Sequence, residues 1–255
     1  MLPAPAYVIS DAHLGFATRE VEQSLLSFLR HLRGGAGALV INGDLFEFWF
    51  EWRHVMPRKS FRVLSALADL RESGLPILML AGNHDCWGGE ILRNDVGLDY
   101  RLGAWDGELA GWRTHIDHGD GLRQVEDRKY RMLRTVLRSP ISIAMFRWLH
   151  PDLGSALASG SSNTSRNYQP RDGGDGLRRV AQEALNGPSA PELVVFAHSH
   201  VASLERLGAG VYANAGAWMD TPSFLRVSPE KIDLCHWTGE SEEVRMSVAH
   251  PAKKA

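Results

Sequence analysis

The chain has little of several things that would have placed it quickly. Its 255 residues include only two cysteines, Cys86 and Cys235, too few for a disulfide framework, so an apolar core must hold the fold. Cys86 directly follows an Asn-His-Asp and is the thiol an oxidant would meet, although two ordinary reduced thiols are the simpler expectation. A net charge of -2 excludes a global pull toward nucleic acid or anionic lipid, and any electrostatic preference must be local. No basic leader precedes a long apolar run, and no apolar stretch approaches the roughly 18 residues that a membrane-spanning helix needs. These absences imply a cytoplasmic protein with no nucleic-acid partner, either soluble or held at the surface of a membrane. With 44% hydrophobic residues the chain can bury a full core, as one domain with an insertion or at most two.

What the chain has instead is one pattern used five times. Leu75-Pro-Ile-Leu-Met-Leu-Ala-Gly-Asn-His-Asp85 reads as a buried inner strand that runs into a polar tip. Tyr7 to His13, Ala38 to Asp44, Thr114 to Asp120 and Leu193 to His200 follow the same plan. Each delivers Asp, Asn or His just past the carboxyl end of a strand, where open α/β sheets bind ligands. Such side chains are the donors that a hard or borderline divalent cation takes, and they converge on one rim if the strands are neighbours. Taken singly, each is no more than a cap or a satisfied polar group. Taken in order, Asp-x-His, Gly-Asp, Gly-Asn-His-Asp, His-Gly-Asp and His-x-His are hard to obtain by accident.

Between the tips the spacing predicts helices at about 18–33 and 57–73, through Leu25, Phe28 and Leu29 in the first and Leu64, Leu67 and Leu70 in the second. Phe46 to Trp52 is dense in aromatics, which pack as core or, beside a rim, wall a pocket. Asp106-Gly107 reads as a hairpin turn. Residues 122–158 change character: Arg123, Arg128, Lys129, Arg131, Arg134, Arg138 and Arg147 alternate with apolar residues, and Pro140 and Pro151 break the run into helices. Cations and apolar surface beside a phosphate site suit an anionic amphiphile, whereas a solvated helical pair would show the same periodicity. Ser159 to Asp175 is polar and rich in Gly and Ser. Another helix is expected at 177–185. Residues 210–218, 224–227, 232–237 and 244–248 read as antiparallel strands that finish a second sheet, before a frayed tail at 250–255.

The ordered tips resemble the calcineurin-like metallophosphoesterase superfamily, over roughly Val8 to Trp218. That resemblance implies an α/β fold, a four-layer α/β/β/α sandwich with a helical lid insertion, with the core at 1–121 and 167–249 and the lid at 122–166. It assigns Asp11, His13, Asp44 and His200 to one metal ion and Asp44, Asn83, His118 and His198 to a second, with Asp44 bridging two divalent cations, Mn²⁺ foremost. His84 becomes the catalytic acid or electrophile on the leaving-group side. Asp85 and Asp120 are expected to orient histidines.

Within that superfamily the segment after His118 is similar to the UDP-2,3-diacylglucosamine pyrophosphatases of lipid A synthesis. An Asp-x-x-Tyr opens their lid and a Ser-x-x-x-Asn-x-x-Lys/Arg closes it. Asp127 and Tyr130 fit the first here, and Ser159, Asn163 and Arg166 the second, as substrate contacts. The resemblance implies hydrolysis of an amphiphilic UDP-sugar lipid to UMP and an acylated glucosamine 1-phosphate, with contact at the cytoplasmic face of the inner membrane permitted. The alternatives are a phosphodiesterase or phosphatase for a soluble nucleotide or phosphoprotein, and a scaffold that has lost catalysis.

Overall fold

The computed structural model describes residues 1–124, 126–154, 156, 172–187 and 189–251, and gives no side-chain description of Lys129. Four short runs, β1 (Ala6–Ile9), β2 (Ala38–Asn42), β3 (Ile77–Leu80) and β7 (Leu193–Phe196), are buried at every residue, as strands covered on both faces must be. The first three lie parallel in sequence order, and β4 (Asp99–Arg101) joins them beyond β3. In the second sheet β5 (Trp105–Leu109) and β6 (Trp112–Ile116) form a hairpin, and β6, β7 and β9 (Gly210–Asn214) are parallel. β8 (Ser203–Leu207) lies antiparallel at its edge.

The remaining strands depart from expectation. β10 (Ser223–Val227), β11 (Lys231–Trp237) and β12 (Glu242–Ala249) do not finish the second sheet but extend the first, through the antiparallel pairing of β1 with β10. The sheets therefore hold seven strands (β12-β11-β10-β1-β2-β3-β4) and five strands (β5-β6-β7-β9-β8). The added strands are covered on both faces. Phe224, Cys235 and Trp237 face one apolar cluster while Leu225, Val227, Ile232 and Leu234 face another, so β10 and β11 belong inside a covered sheet.

Three apolar clusters define the layers. Helices α1 (Arg19–His31) and α2 (Phe61–Glu72) cover the outer face of the seven-stranded sheet, burying Leu25, Phe28, Leu29, Leu64, Leu67 and Leu70. A second cluster, including Val8, Val40, Leu78, Trp112, Val195 and Val211, lies between the sheets. A third packs a later helix, Asp175–Leu185, onto the outer face of the five-stranded sheet. The result is the expected four-layer α/β/β/α sandwich. Between β6 and β7 run α3 (Arg128–Leu137) and α4 (Pro140–Arg147), and the helix Asp175–Leu185 becomes α5.

Two local expectations fail for identifiable reasons. The hairpin turns at Ala110-Gly111, both at positive φ, while Gly107 lies within β5, where a Cβ would collide with the Trp105 ring. The tail is not frayed at its start. His250 is buried, its ring centroid 4.0 Å from that of Trp112, and its backbone N–H donates to Glu230 O.

Phe28 joins α1 to the sheet, fully buried among Tyr7, Trp218, Phe224 and Trp237 at ring-centroid distances of 4.7–6.0 Å. Replacing it with Ala leaves a cavity that rigid neighbours cannot close. Phe28→Ala should lower stability by about 3–5 kcal/mol in equilibrium urea unfolding, and a loss under about 1 kcal/mol would show that the layer repacks.

Candidate metal centre

The site follows from where the parallel strands stop. β1, β2 and β3 are adjacent in one sheet and β6 and β7 in the other, so their carboxyl ends deliver all five tips to one edge of the sandwich. Main-chain bonds then lace the tips together. Asp11 N donates to Gly43 O, His13 N to Asp44 O, and Ala197 N to His118 O. The Asn42 amide donates to Asp117 O, tying one sheet to the other.

Backbone strain is concentrated here. Six described non-glycine residues have positive φ, and five of them are Asp11, His13, Asp44, His198 and His200. The left-handed region costs a residue with a Cβ about 1 kcal/mol or more, and such residues persist only where the surroundings over-determine them. Gly43 and Gly82 supply clearance. A Cβ on Gly43 would strike the His118 ring and one on Gly82 the Asp44 carboxylate.

Two triads emerge. Asp11, His13 and His200 bring ligand-type atoms within 4.8 Å of one another, and Asp44, His118 and His198 do the same. His84 also falls within that distance of His13 and Asp44. Asp11 Oδ1 lies 3.3 Å from His200 Nε2, and Asp44 Oδ2 3.3 Å from His118 Nε2. Asp11, Asp44 and His118 are almost wholly buried. Asp11 Oδ1, Asn83 Oδ1 and His118 Nε2 are buried with no hydrogen-bond partner. Buried polar atoms are seldom left without a well-directed hydrogen bond, and buried O and N donors of this kind fit divalent cations.

The electrostatics agree. Burial alone would raise the Asp44 carboxyl, but His118, His84 and His13 together hold it well below the usual carboxylate range. Burial likewise opposes charge on His118, yet Asp44, then Asp11 and Asp120, push it well above an ordinary imidazole. In His198 burial prevails, helped by the His118 charge, and the ring falls to about 4. The centre thus gathers carboxylates that stay ionised around a region of concentrated negative charge.

Orientation comes from residues that the sequence did not single out. His13 Nδ1 lies 2.9 Å from Glu47 Oε2, His118 Nδ1 2.8 Å from Asn42 O, and His200 Nδ1 3.5 Å from Asp220 Oδ2. Glu47 stands three residues past Asp44, a spacing that could have drawn notice; a backbone carbonyl leaves no trace in sequence. His84 is held through its Nδ1, 2.8 Å from Glu47 O, and its N–H donates to Asp44 Oδ1.

Asp85 and Asp120 do other work than orienting histidines. Asp85 accepts from Leu45 N and Gly82 N, clamping two tips, while burial and then the Asp44 charge push it up to about 7. Asp120 accepts from the Tyr130 hydroxyl at 2.5 Å and lies 3.5 Å from both Arg134 and Arg138. Tyr130 therefore meets a carboxylate beside the rim, and buried Asp127 binds Arg123 through both carboxylate oxygens. Ser159, Asn163 and Arg166 lie outside the described residues. Burial pushes the Cys86 thiol up to about 11, which makes it a poor target for oxidants.

The cations of the helical segment are mostly committed. Arg123 pairs with Asp127 and Asp172, Arg131 donates to Arg123 O and Gln124 O, and Arg134 and Arg138 meet Asp120. Its apolar residues are not. Met132, Leu133, Val136, Ile141, Met145 and Trp148 are exposed, Trp148 at 91%. Phe146, the one aromatic residue of α4, turns inward onto Phe48, Phe50, Trp52 and Trp87.

Known proteins share this arrangement. Residues 4–202 match the family profile described as calcineurin-like phosphoesterase. A UDP-2,3-diacylglucosamine hydrolase of Stenotrophomonas maltophilia is 29% identical over 232 residues, covering 86% of this chain and 93% of that protein. One of Porphyromonas gingivalis is 34% identical over 164 residues, covering 63% of each, less than two thirds of that relative. The E. coli phosphoesterase Yfce superposes with a TM-score of 0.50 at 14% identity, over 96% of this chain and 98% of that one, a likeness of fold alone. With 199 consecutive positions matched and every expected tip in place, the chain belongs to the calcineurin-like phosphoesterase family and is a metal-dependent hydrolase.

Proposed function

We propose that the chain hydrolyses the pyrophosphate of a UDP-2,3-diacylglucosamine-like lipid, giving UMP and an acylated glucosamine 1-phosphate. The observation that carries this reading is the helical segment between β6 and β7. It is joined to the metal edge through Asp120 yet leaves its apolar residues facing outward. A soluble phosphodiester gives such a face nothing to bind; an acylated substrate does. The curated relatives that align over most of the chain carry the matching name. Contact of the same face with the inner-membrane surface follows if the substrate is drawn from the bilayer. No described helix is long and apolar enough to cross a membrane.

Asp11, His13, Asp44 and His200 would hold one cation and Asp44, Asn83, His118 and His198 the other, with Mn²⁺ favoured by O and N donors without thiolate. When bound, the pair acidifies water and neutralises charge growing on phosphoryl oxygens. The chain's own residues prepare that chemistry. Asn42 O takes the Nδ1 proton of His118 and so presents Nε2 as the lone-pair nitrogen, and Glu47 fixes the His13 ring in the same way. His84, anchored to Glu47 O, supplies a proton to the departing oxygen.

Turnover of an acylated UDP-sugar should exceed that of an aryl phosphodiester. Equal or better use of the aryl ester would favour a soluble substrate and sink the lipid reading. Adding Mn²⁺ should raise the melting temperature of the wild type, since a cation that binds only the folded chain stabilises it. Asp44→Ala should abolish both that shift and catalysis, and two manganese ions retained in elemental analysis would refute the shared ligand. His84→Ala should keep the metals while lowering kcat by about 100-fold or more, the usual contribution of a positioned proton donor. Loss of metal from that variant would make His84 a ligand instead.

A further inference from the structure

A cavity of about 500 Å³ opens beside His200, and among the described residues none of those around it comes from the helical segment. Its volume falls in the roughly 300–1,000 Å³ range of small-molecule sites. His200 links it to the rim, with Nε2 3.3 Å from Asp11 and Nδ1 3.5 Å from Asp220. Around the space stand Asp220, Thr221, His236 and Arg245, over an apolar wall that includes Leu234.

Two features mark it as built. Leu234 pairs with Met246 and Cys235 with Val244, which leaves Arg245 as the extra residue of a β-bulge, and bulges re-aim the side chain they carry. His236 Nδ1 is buried and has no hydrogen-bond partner among the described residues.

We propose that this cavity receives the nucleoside end of the substrate. The proposal rests on the reading of the rim as a site for a nucleotide pyrophosphate. His200 borders both the rim and the cavity, so a phosphoryl group held at the rim would carry its ester-linked ribose toward that space. A pyrimidine presents carbonyl acceptors on either side of an N–H donor, and ribose adds two hydroxyls. Arg245 and Thr221 offer donors, while the Asp220 carboxylate offers an acceptor. A further phosphate fits poorly, because the Asp220 carboxylate shares the space. The nucleoside thus leaves the metal edge toward β11 and β12, and the lipid leaves it toward α3 and α4.

The test is calorimetric titration of the manganese-loaded full chain with UMP and, separately, with ribose 5-phosphate, which lacks the base. UMP should bind at least about tenfold more tightly, and Arg245→Ala and Thr221→Leu should each bring the two affinities to within about twofold. A wild type that binds the two equally, or a preference that survives both substitutions, overturns the proposal. A preference for UMP in a protein that fails to cleave the acylated UDP-sugar keeps the nucleoside site and removes the lipid; cleavage without a preference removes the nucleoside site and keeps the lipid.

Discussion

A buried carboxylate that cannot give up its charge governs the rest of this molecule. Asp44 is only 2% exposed, and the imidazoles around it hold its pKa well below the carboxylate range. An isolated ion buried this deeply would neutralise itself rather than persist, because desolvation outweighs anything short of a close, well-directed partner. Here protons on neighbouring histidines serve as that partner, and divalent cations would serve better. The glycines at 43 and 82, the left-handed backbone at five tip residues and the clamp of Asp85 on two loops all follow from keeping this one group enclosed. Each is locally unfavourable. They persist because the sheets on either side fix where the tips start.

That division explains what could be read in the chain and what could not. Strand runs and their polar tips are local properties, and Asp11, His13, Asp44, Asn83, His118, His198 and His200 were all legible by type and order. Which sheet a strand joins is not local. β10 and β11 look like any antiparallel pair, and the alternation of Leu225 with Phe224 says that both faces are covered without saying by which sheet's neighbours, since both sheets are covered on two faces. Nor does a sequence distinguish an arginine that faces solvent from one that grips a neighbour. The basic run in residues 123–147 read as a surface for anions, whereas Arg123, Arg131, Arg134 and Arg138 satisfy the segment's own carbonyls and carboxylates. Arg128 and Arg147 remain exposed beside a larger apolar surface, and the inference toward an acylated ligand rests on that surface.

Two contacts of different chemistry hold the described part of the helical segment close to the rim. One is Asp120, two residues from His118, gripped by Tyr130, Arg134 and Arg138. The other is an aromatic seam in which Phe146 meets Phe48, Phe50 and Trp87 at centroid distances of 4.8–5.9 Å, with the Trp87 and Trp52 indoles donating to Leu137 O and Leu149 O. Apolar packing alone would let the segment slide. The charged contact gives it a register, since a buried carboxylate with three donors accepts few alternatives. A helix pair held in register beside the rim presents its free face at a constant angle to whatever the metals hold.

Selectivity in such a centre has to come from its flanks. The rim recognises phosphoryl oxygens, and every phosphoester offers those equally. Contacts that two substrates share lower both barriers together and discriminate neither. Discrimination therefore requires groups that meet only one end of one substrate. The fold provides two such flanks in different directions from Asp44, because β1, β10 and β11 continue the larger sheet on one side while the β6–β7 connection rises on the other. A pyrophosphate diester that joins two unlike ends is the substrate shape to which both flanks would respond at once.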